Sequence, residues 1–321
     1  LGTKLNAAEA RLDTDQHLAD AMATAGNVIV PMQFVLGEMQ GNPDRPLPEF
    51  VARHRVTNLR DGIQAAEHHM LPPDTSEAVP PISAVGEKAA LIGHLSINPD
   101  PDGAIRQEPL LVRHGDGFYP SLSLLLAAQS LNLGVKDIAV DLGEGVRLGR
   151  LSIKTDPFLQ MRTFFYSGSD DRVAFAADSF YDVTSGKIPP GKYKDKIVII
   201  GPTAYGLGSP QVTPVSPALE PAYILAHNVA SILNQNFYTT PPWASLVRWL
   251  AVLVAAAFVI AGLPRLKAGP AAVASGALIL ALVTAHFVLM TGSGVWAPLM
   301  LPAVMIGVGY VLITTKHYFI T

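Results

Sequence analysis

The chain has 321 residues, 49% of them apolar, with 26 Asp and Glu against 23 Lys and Arg, nine His and no Cys. The absence of cysteine excludes disulfides and thiol chemistry, and a net-acidic front part without a dense Lys/Arg cluster argues against a nucleic-acid partner. All the carboxylates precede Pro241 together with 19 of the Lys and Arg, so residues 1–240 carry a formal −7, while the remainder holds only Arg248, Arg265, Lys267 and Lys316. A water-compatible domain over 1–240 is therefore expected ahead of a membrane-embedded tail over 241–315.

In chain order, DTDQHLADAMATA (13–25) predicts a helix with Leu18, Ala21, Met22 and Ala25 on one face, Asp13 or Asp15 as its cap and Gly26 as its stop. NVIVPMQF follows as a short buried strand, and residues 36–80 read as loop with a helix around Arg60 to His69. Ala89 to Ile97 and Ala104 to Arg113 read as strands joined by the turn NPDPDG, and Pro120 to Leu131 as a helix with Pro in its first turn. Short strands occupy 137–166, a short helix Ser179 to Thr184, and Ile197 to Ile200, four branched apolar residues closed by Gly201, form the clearest buried strand. A long loop then leads to a helix over Ala222 to Leu233. This order predicts one mixed α/β domain with a partly parallel sheet and flanking helices, followed by an all-α segment of three transmembrane helices.

The three spans are expected at about 243–264, 269–290 and 295–315, with 316–321 beginning a cytoplasmic linker. The loop PRLKAG carries Arg265 and Lys267 and the loop TGSG carries no charge, which places the first loop in the cytoplasm and residues 1–240 in the periplasm or extracellular space. Arg248 is the contrary charge, a snorkelling cation beside Trp243 and Trp249. An external domain must be exported, by a cleaved signal or, as the favoured expectation, by an N-terminal membrane helix upstream of Leu1. Gly269, Ala272, Ser275, Gly276, Gly307 and Gly309 permit close helix packing or a dimer seam. His286 lies deep in a span, where a functional role competes with the simpler reading of a neutral His hydrogen-bonded across a helix interface.

GPTAYGLG (201–208) follows the apolar run, but Gly206 is followed by Leu207 and Gly208 rather than by Lys, so it is no phosphate loop. The loop reads instead as a turn lining a pocket. Gly201, Thr203, Tyr205 and Gly206, with His227 and Asn228 from the last helix, are the candidate ligand-binding residues. His54, His68, His69, His94 and His114 are scattered without an HExxH pair, and no metal site is expected. DPDG at 100–103 lacks a calcium-loop pattern and PSLSL lacks a nucleophile elbow, so no catalytic residue and no cofactor are expected.

Residues 13–31, 94–112 with 118–127, and 194–217 with 221–235 together resemble the second class of CHASE domain. That family is the extracellular sensory module of bacterial nucleotide cyclases, histidine kinases and serine/threonine kinases, and three membrane helices usually follow it. The resemblance implies a sensory module in the bacterial inner membrane, coupling an undefined external signal to a cytoplasmic effector beyond Thr321. The tail LPRLKAGPAA and TTKHYFIT resembles the subset fused to a cytoplasmic serine/threonine kinase or helical-repeat region more than the cyclase-linked subset. It also implies an upstream membrane helix and helix–strand pair. GPTAYGLG and the residues Glu220 and Tyr223 depart from the common pattern, so the pocket is expected to differ from that of relatives. Movement is expected to pass to the first span through a hinge at Pro241 to Trp243, most simply in a homodimer. The alternative is a non-signalling membrane scaffold that binds envelope partners, with an external enzyme third.

Overall fold

The computed structural model describes residues 12–38, 46–168, 174–204 and 208–320, in two compact units, Leu1–Phe237 and Tyr238–Thr321. In the first unit, helix α1 (Thr14–Ala25) is capped by Asp13, whose side chain accepts from Gln16 N, and closed by Gly26 at φ +68°. Ala19 and Met22 are its buried residues, while Leu18 is 53% exposed, so the apolar face lies one position away from the expected one.

Strand β1 (Ile29–Leu36) leads into residues where the expected helix around Arg60 to His69 does not form. Leu59–Arg60 is strand β2, and Gln64 and His69 adopt positive φ, which interrupts any helix. Asp61 meanwhile accepts from Ala65 N at 2.6 Å as a local turn. Strand β3 (Thr75–Val79) pairs antiparallel with β1, and strand β4 (Leu91–His94) pairs parallel with it on the other side. The turn at 100–103 is closed by a Gly103 N to Asp100 O bond and by Arg106, which holds Asp100 and Asp102 at 2.7 Å each. The strands on either side of it belong to different sheets. Strand β5 (Gln107–Pro109) continues into the hairpin of β6 (Leu111–His114) and β7 (Gly117–Pro120).

Helix α2 (Leu122–Ser130) begins after the cap Ser121, with Pro120 still in β7. Six of its nine residues are buried, including Leu124, Leu125, Ala127 and Ala128 at 0% exposure. Strands β8 (Ile138–Asp141), β9 (Gly145–Leu148) and β10 (Leu151–Lys154) form an antiparallel meander that β2 extends in parallel. Strand β11 (Gln160–Thr163) pairs antiparallel with β5. The main core joins α2 to Leu110, Ile138, Val140, Leu148, Ile153 and Met161. A short hairpin, β12 (Gln211–Thr213) and β13 (Ser216–Leu219), precedes helix α3 (Pro221–Asn234). The expected fold class, a mixed parallel and antiparallel sheet system with flanking helices followed by a three-helix region, is the one observed.

The segment Ile197 to Ile200 is not a buried strand. No backbone hydrogen bond among the described residues involves it, and Ile197, Val198 and Ile200 are exposed, the last at 78%. Only Ile199 packs, against Leu122, Leu225 and Val229. A run of branched apolar residues records affinity for a pleated, half-buried surface; whether a neighbouring strand lies beside it is a separate matter.

In the second unit, Trp243–Arg265 and Ala268–Ser293, of 23 and 26 residues, are long and apolar enough to cross a membrane, and a shorter apolar helix covers Met300–Lys316. We label them α4 (starting at Pro242), α5 (Ala268–Ser293) and α6 (Met300–Ile320). α4 widens to a π turn at Phe258–Gly262 just before Pro264, whose ring and missing N–H disturb the ladder. Gly309 lies where a side chain would press within 2.6 Å of Val259, so this small residue does permit close approach.

α6 starts at Met300 rather than at Val295, because residues 295–299 are extended. Thr239 N donates to Gly294 O and Trp296 N to Thr239 O, both at 2.8 Å, which clasps the lead-in to α4 onto the α5–α6 connection. His286 Nδ1 donates to Ala297 O at 2.6 Å and its ring meets Trp296 edge-on at 5.5 Å. His286 thus follows the simpler structural reading. Arg248 lies 5.2 Å from the Trp249 ring centroid, a cation–π contact that suits a snorkelling side chain.

Gly93 of β4 makes the closest approach to backbone among the described glycines of the outer unit: a Cβ there would sit 2.7 Å from Leu122 Cα and 2.8 Å from Leu122 N. Backbone atoms cannot swing aside. Gly93→Ala is therefore expected to destabilise the packing of α2 by about 1–3 kcal/mol, read as faster hydrogen exchange at the Leu124 to Ala128 amides.

Candidate functional site

Strand β5 places Glu108 opposite Met161 of β11, and its side chain is 7% exposed. The cap of α2 supplies its neighbours. Ser121 Oγ accepts from Leu124 N at 3.3 Å and lies 2.9 Å from Ser123 Oγ, and Ser123 Oγ donates to Glu108 Oε2 at 2.6 Å. From the other side, Asn228 of α3 hydrogen-bonds the same carboxyl, while its Oδ1 accepts from Thr163 Oγ1 at 2.7 Å. With that oxygen taken, the amide nitrogen of Asn228 is the group that faces Glu108.

Helix α3 then works as a stand-in for a strand along residues 163–166. Ser231 Oγ accepts from Phe164 N and donates to its carbonyl, both at 3.1 Å. His227 Nδ1 accepts from Tyr166 N at 3.2 Å. These side chains satisfy backbone groups that have left the β11 ladder. The His227 ring stacks on Tyr166 at 6.0 Å and meets Phe165 and Phe175 at 5.1 and 4.9 Å. Burial pushes His227 down to about 4 and His94 down to about 3, so both are neutral at ordinary pH.

Beside Glu108 a cleft of about 60 Å³ opens, walled by Leu95, Ile97, Ile105 and Ile224, with Glu108 and Asn228 among its polar members. Of the residues the sequence singles out, Asn228 borders this cleft and His227 turns into the aromatic cluster. Gly201 abuts the first turn of α3, where a Cβ would come 2.9 Å from Ala222 Cβ, and Thr203 is exposed. Tyr205 and Gly206 lie outside the described residues. Sequence reasoning missed Glu108 and Ser123. The available signal was a carboxylate within the otherwise apolar run EPLLV, on a strand with no surface phase to receive it. Among the described residues no group of His, Asp or Glu is arranged to hold a metal.

Burial pushes the Glu108 carboxyl up to about 7 from 4.5, opposed by the hydrogen bonds from Ser123 and Asn228. An acid raised on folding adds stability that is complete below the unfolded value and is lost as pH rises through the folded one. Gln resembles the protonated acid and carries no such dependence. Glu108→Gln is therefore expected to unfold at a higher temperature than wild type near pH 8, by on the order of 3 kcal/mol, and to show no advantage near pH 4. Thermal midpoints of the two proteins across pH measure this directly.

A family model, described as the CHASE2 domain, matches residues 3–263, which is most of the chain and extends through the first apolar helix. No curated protein and no solved structure matched the chain. The matched span, the mixed sheet with its flanking helices and the apolar helices after it agree with one another. The chain belongs to the CHASE2 family of non-catalytic periplasmic sensor modules, and is held in the inner membrane by the several helices that follow.

Proposed function

We propose that this chain is the input module of a bacterial transmembrane signalling receptor, with residues 1–240 outside, spans at about 243–264, 269–290 and 295–315, and an effector of the kinase or cyclase type beyond Thr321. The match of the CHASE2 model across residues 3–263 carries this reading. We assign the ligand pocket to the segment leading into α3, where Gly201, Thr203, Tyr205 and Gly206 precede in sequence the helix that carries His227 and Asn228.

The coupling path is more specific than a hinge at Pro241 to Trp243. Thr239 is hydrogen-bonded to Gly294 and Trp296, so a displacement arriving along the chain reaches the α5–α6 connection as well as α4. Transmission of this kind needs two arrangements of the clasp that differ in free energy between the signal-bound and signal-free states. A homodimer is the simplest means of turning such a shift into a cytoplasmic response.

One observation favours the second reading, a scaffold for envelope partners: Ile197, Val198 and Ile200, with Phe180 and Tyr181, are exposed apolar side chains. The two readings separate in one experiment on the full-length protein in nanodiscs. Because the chain has no cysteine, Thr239→Cys with Val295→Cys, at facing positions of the clasp, is the only thiol pair within these residues. Intact and fragment masses are expected to place a folded effector after Thr321, and oxidation of the pair is expected to hold its output at one level until reductant is added. An effector whose output ignores the oxidised pair, or no effector at all, would leave the scaffold.

A further inference from the structure

We infer that the Glu108 cleft is a binding site for a small primary ammonium ion with a short alkyl body, and that this ion is the class of signal the sensor takes. The inference rests on the sensor reading for the word signal and on geometry alone for the site. Around Glu108 the hydrogen bonds run inward: Ser123 donates to the carboxyl with Ser121 behind it, and Asn228 does so with Thr163 behind it. A shell of donors is an environment for a carboxylate, since a protonated acid would need an acceptor for its own hydrogen.

None of the ion pairs among the described residues involves Glu108. Arg106, two residues back, is held by Asp100 and Asp102, and Arg162 lies opposite Gln107 rather than Glu108 in the β5–β11 register. His227, beside Asn228 on α3, is neutral and engaged with Tyr166 N. From α2 only hydroxyls face the carboxyl. A buried carboxylate with donors and no cation is stable only when a cation arrives from outside or a proton is taken up. The adjoining space determines which cation fits. The cleft is small, about 60 Å³, and besides Leu95, Ile97, Ile105 and Ile224 it is lined by the neutral polar Ser96 and Gln107. With one carboxylate and an otherwise neutral lining the cleft offers too little negative charge for a divalent metal, whereas an ammonium head on a short alkyl chain matches the carboxylate and the aliphatic walls.

Binding is then a proton exchange. With the carboxyl protonated, the incoming ammonium ion forms the ion pair, the Glu108 proton leaves to solvent, and the net charge of the site is conserved. Affinity is expected to tighten about tenfold between roughly pH 6 and pH 8, over which range the alkylammonium itself keeps its charge.

The test uses the full chain in nanodiscs and n-propylammonium as the probe, with propan-1-ol as its neutral counterpart. Calorimetry in two buffers of different ionisation enthalpy is expected to show binding with release of close to one proton at the lower pH and almost none at the higher. Glu108→Gln, which retains size and polarity, is expected to abolish both the binding and the proton release. Absence of n-propylammonium binding to the wild type, equal binding of propan-1-ol, or undiminished binding to the Gln variant would each overturn the assignment. These outcomes are independent of the Thr239–Val295 lock. A chain that binds the probe while its effector ignores the lock keeps the site and loses the sensor reading. One whose effector obeys the lock but which fails to bind the probe does the reverse.

Discussion

Helix α2 buries six of its nine residues, and the outer domain is arranged around that fact. Leu124, Leu125, Ala127 and Ala128 are fully buried, which covers more of the helix circumference than a single sheet face can serve. The β8–β9–β10 meander and Leu110 with Met161 cover part of it, β4 approaches through Gly93, and α3 joins through the cluster of Leu122, Leu225 and Val229. The layers of the domain are the several surfaces needed to keep these six residues dry.

The same burial explains the polar interior. A helix entering a core brings its unpaired N-terminal N–H groups with it, and Ser121 caps one of them at Leu124. That hydroxyl and the one at Ser123 then require partners of their own, which Glu108, Asn228 and Thr163 complete. The network is tightly satisfied yet carries one ionisable group whose charge burial opposes. Polar satisfaction and charge neutrality are separate requirements, and this interior meets the first without the second.

What was legible in the sequence follows from the range of each interaction. The Asp13 cap and Gly26 stop of α1 were readable because capping is settled within a few residues, and the apolar spans because membrane length is a property of a single segment. The failures are non-local. Ile197 to Ile200 has the composition of a strand, but a strand exists only beside another, and no local pattern reports the neighbour. The residues around Arg60 to His69 were lost to positive φ at Gln64 and His69. Glu108 was overlooked because its meaning depends on Ser123 and Asn228, which are 15 and 120 positions away. His227 was noticed but its acceptor role toward Tyr166 N was not, since that role depends on how α3 lies along residues 163–166.

Within the helical unit, Thr239 is fixed by two hydrogen bonds to the α5–α6 connection and leads directly into α4, so a displacement of Thr239 is shared between two helices. His286 and Trp296 stiffen that connection from within the helical unit, which makes the histidine a brace for the point where movement enters the membrane.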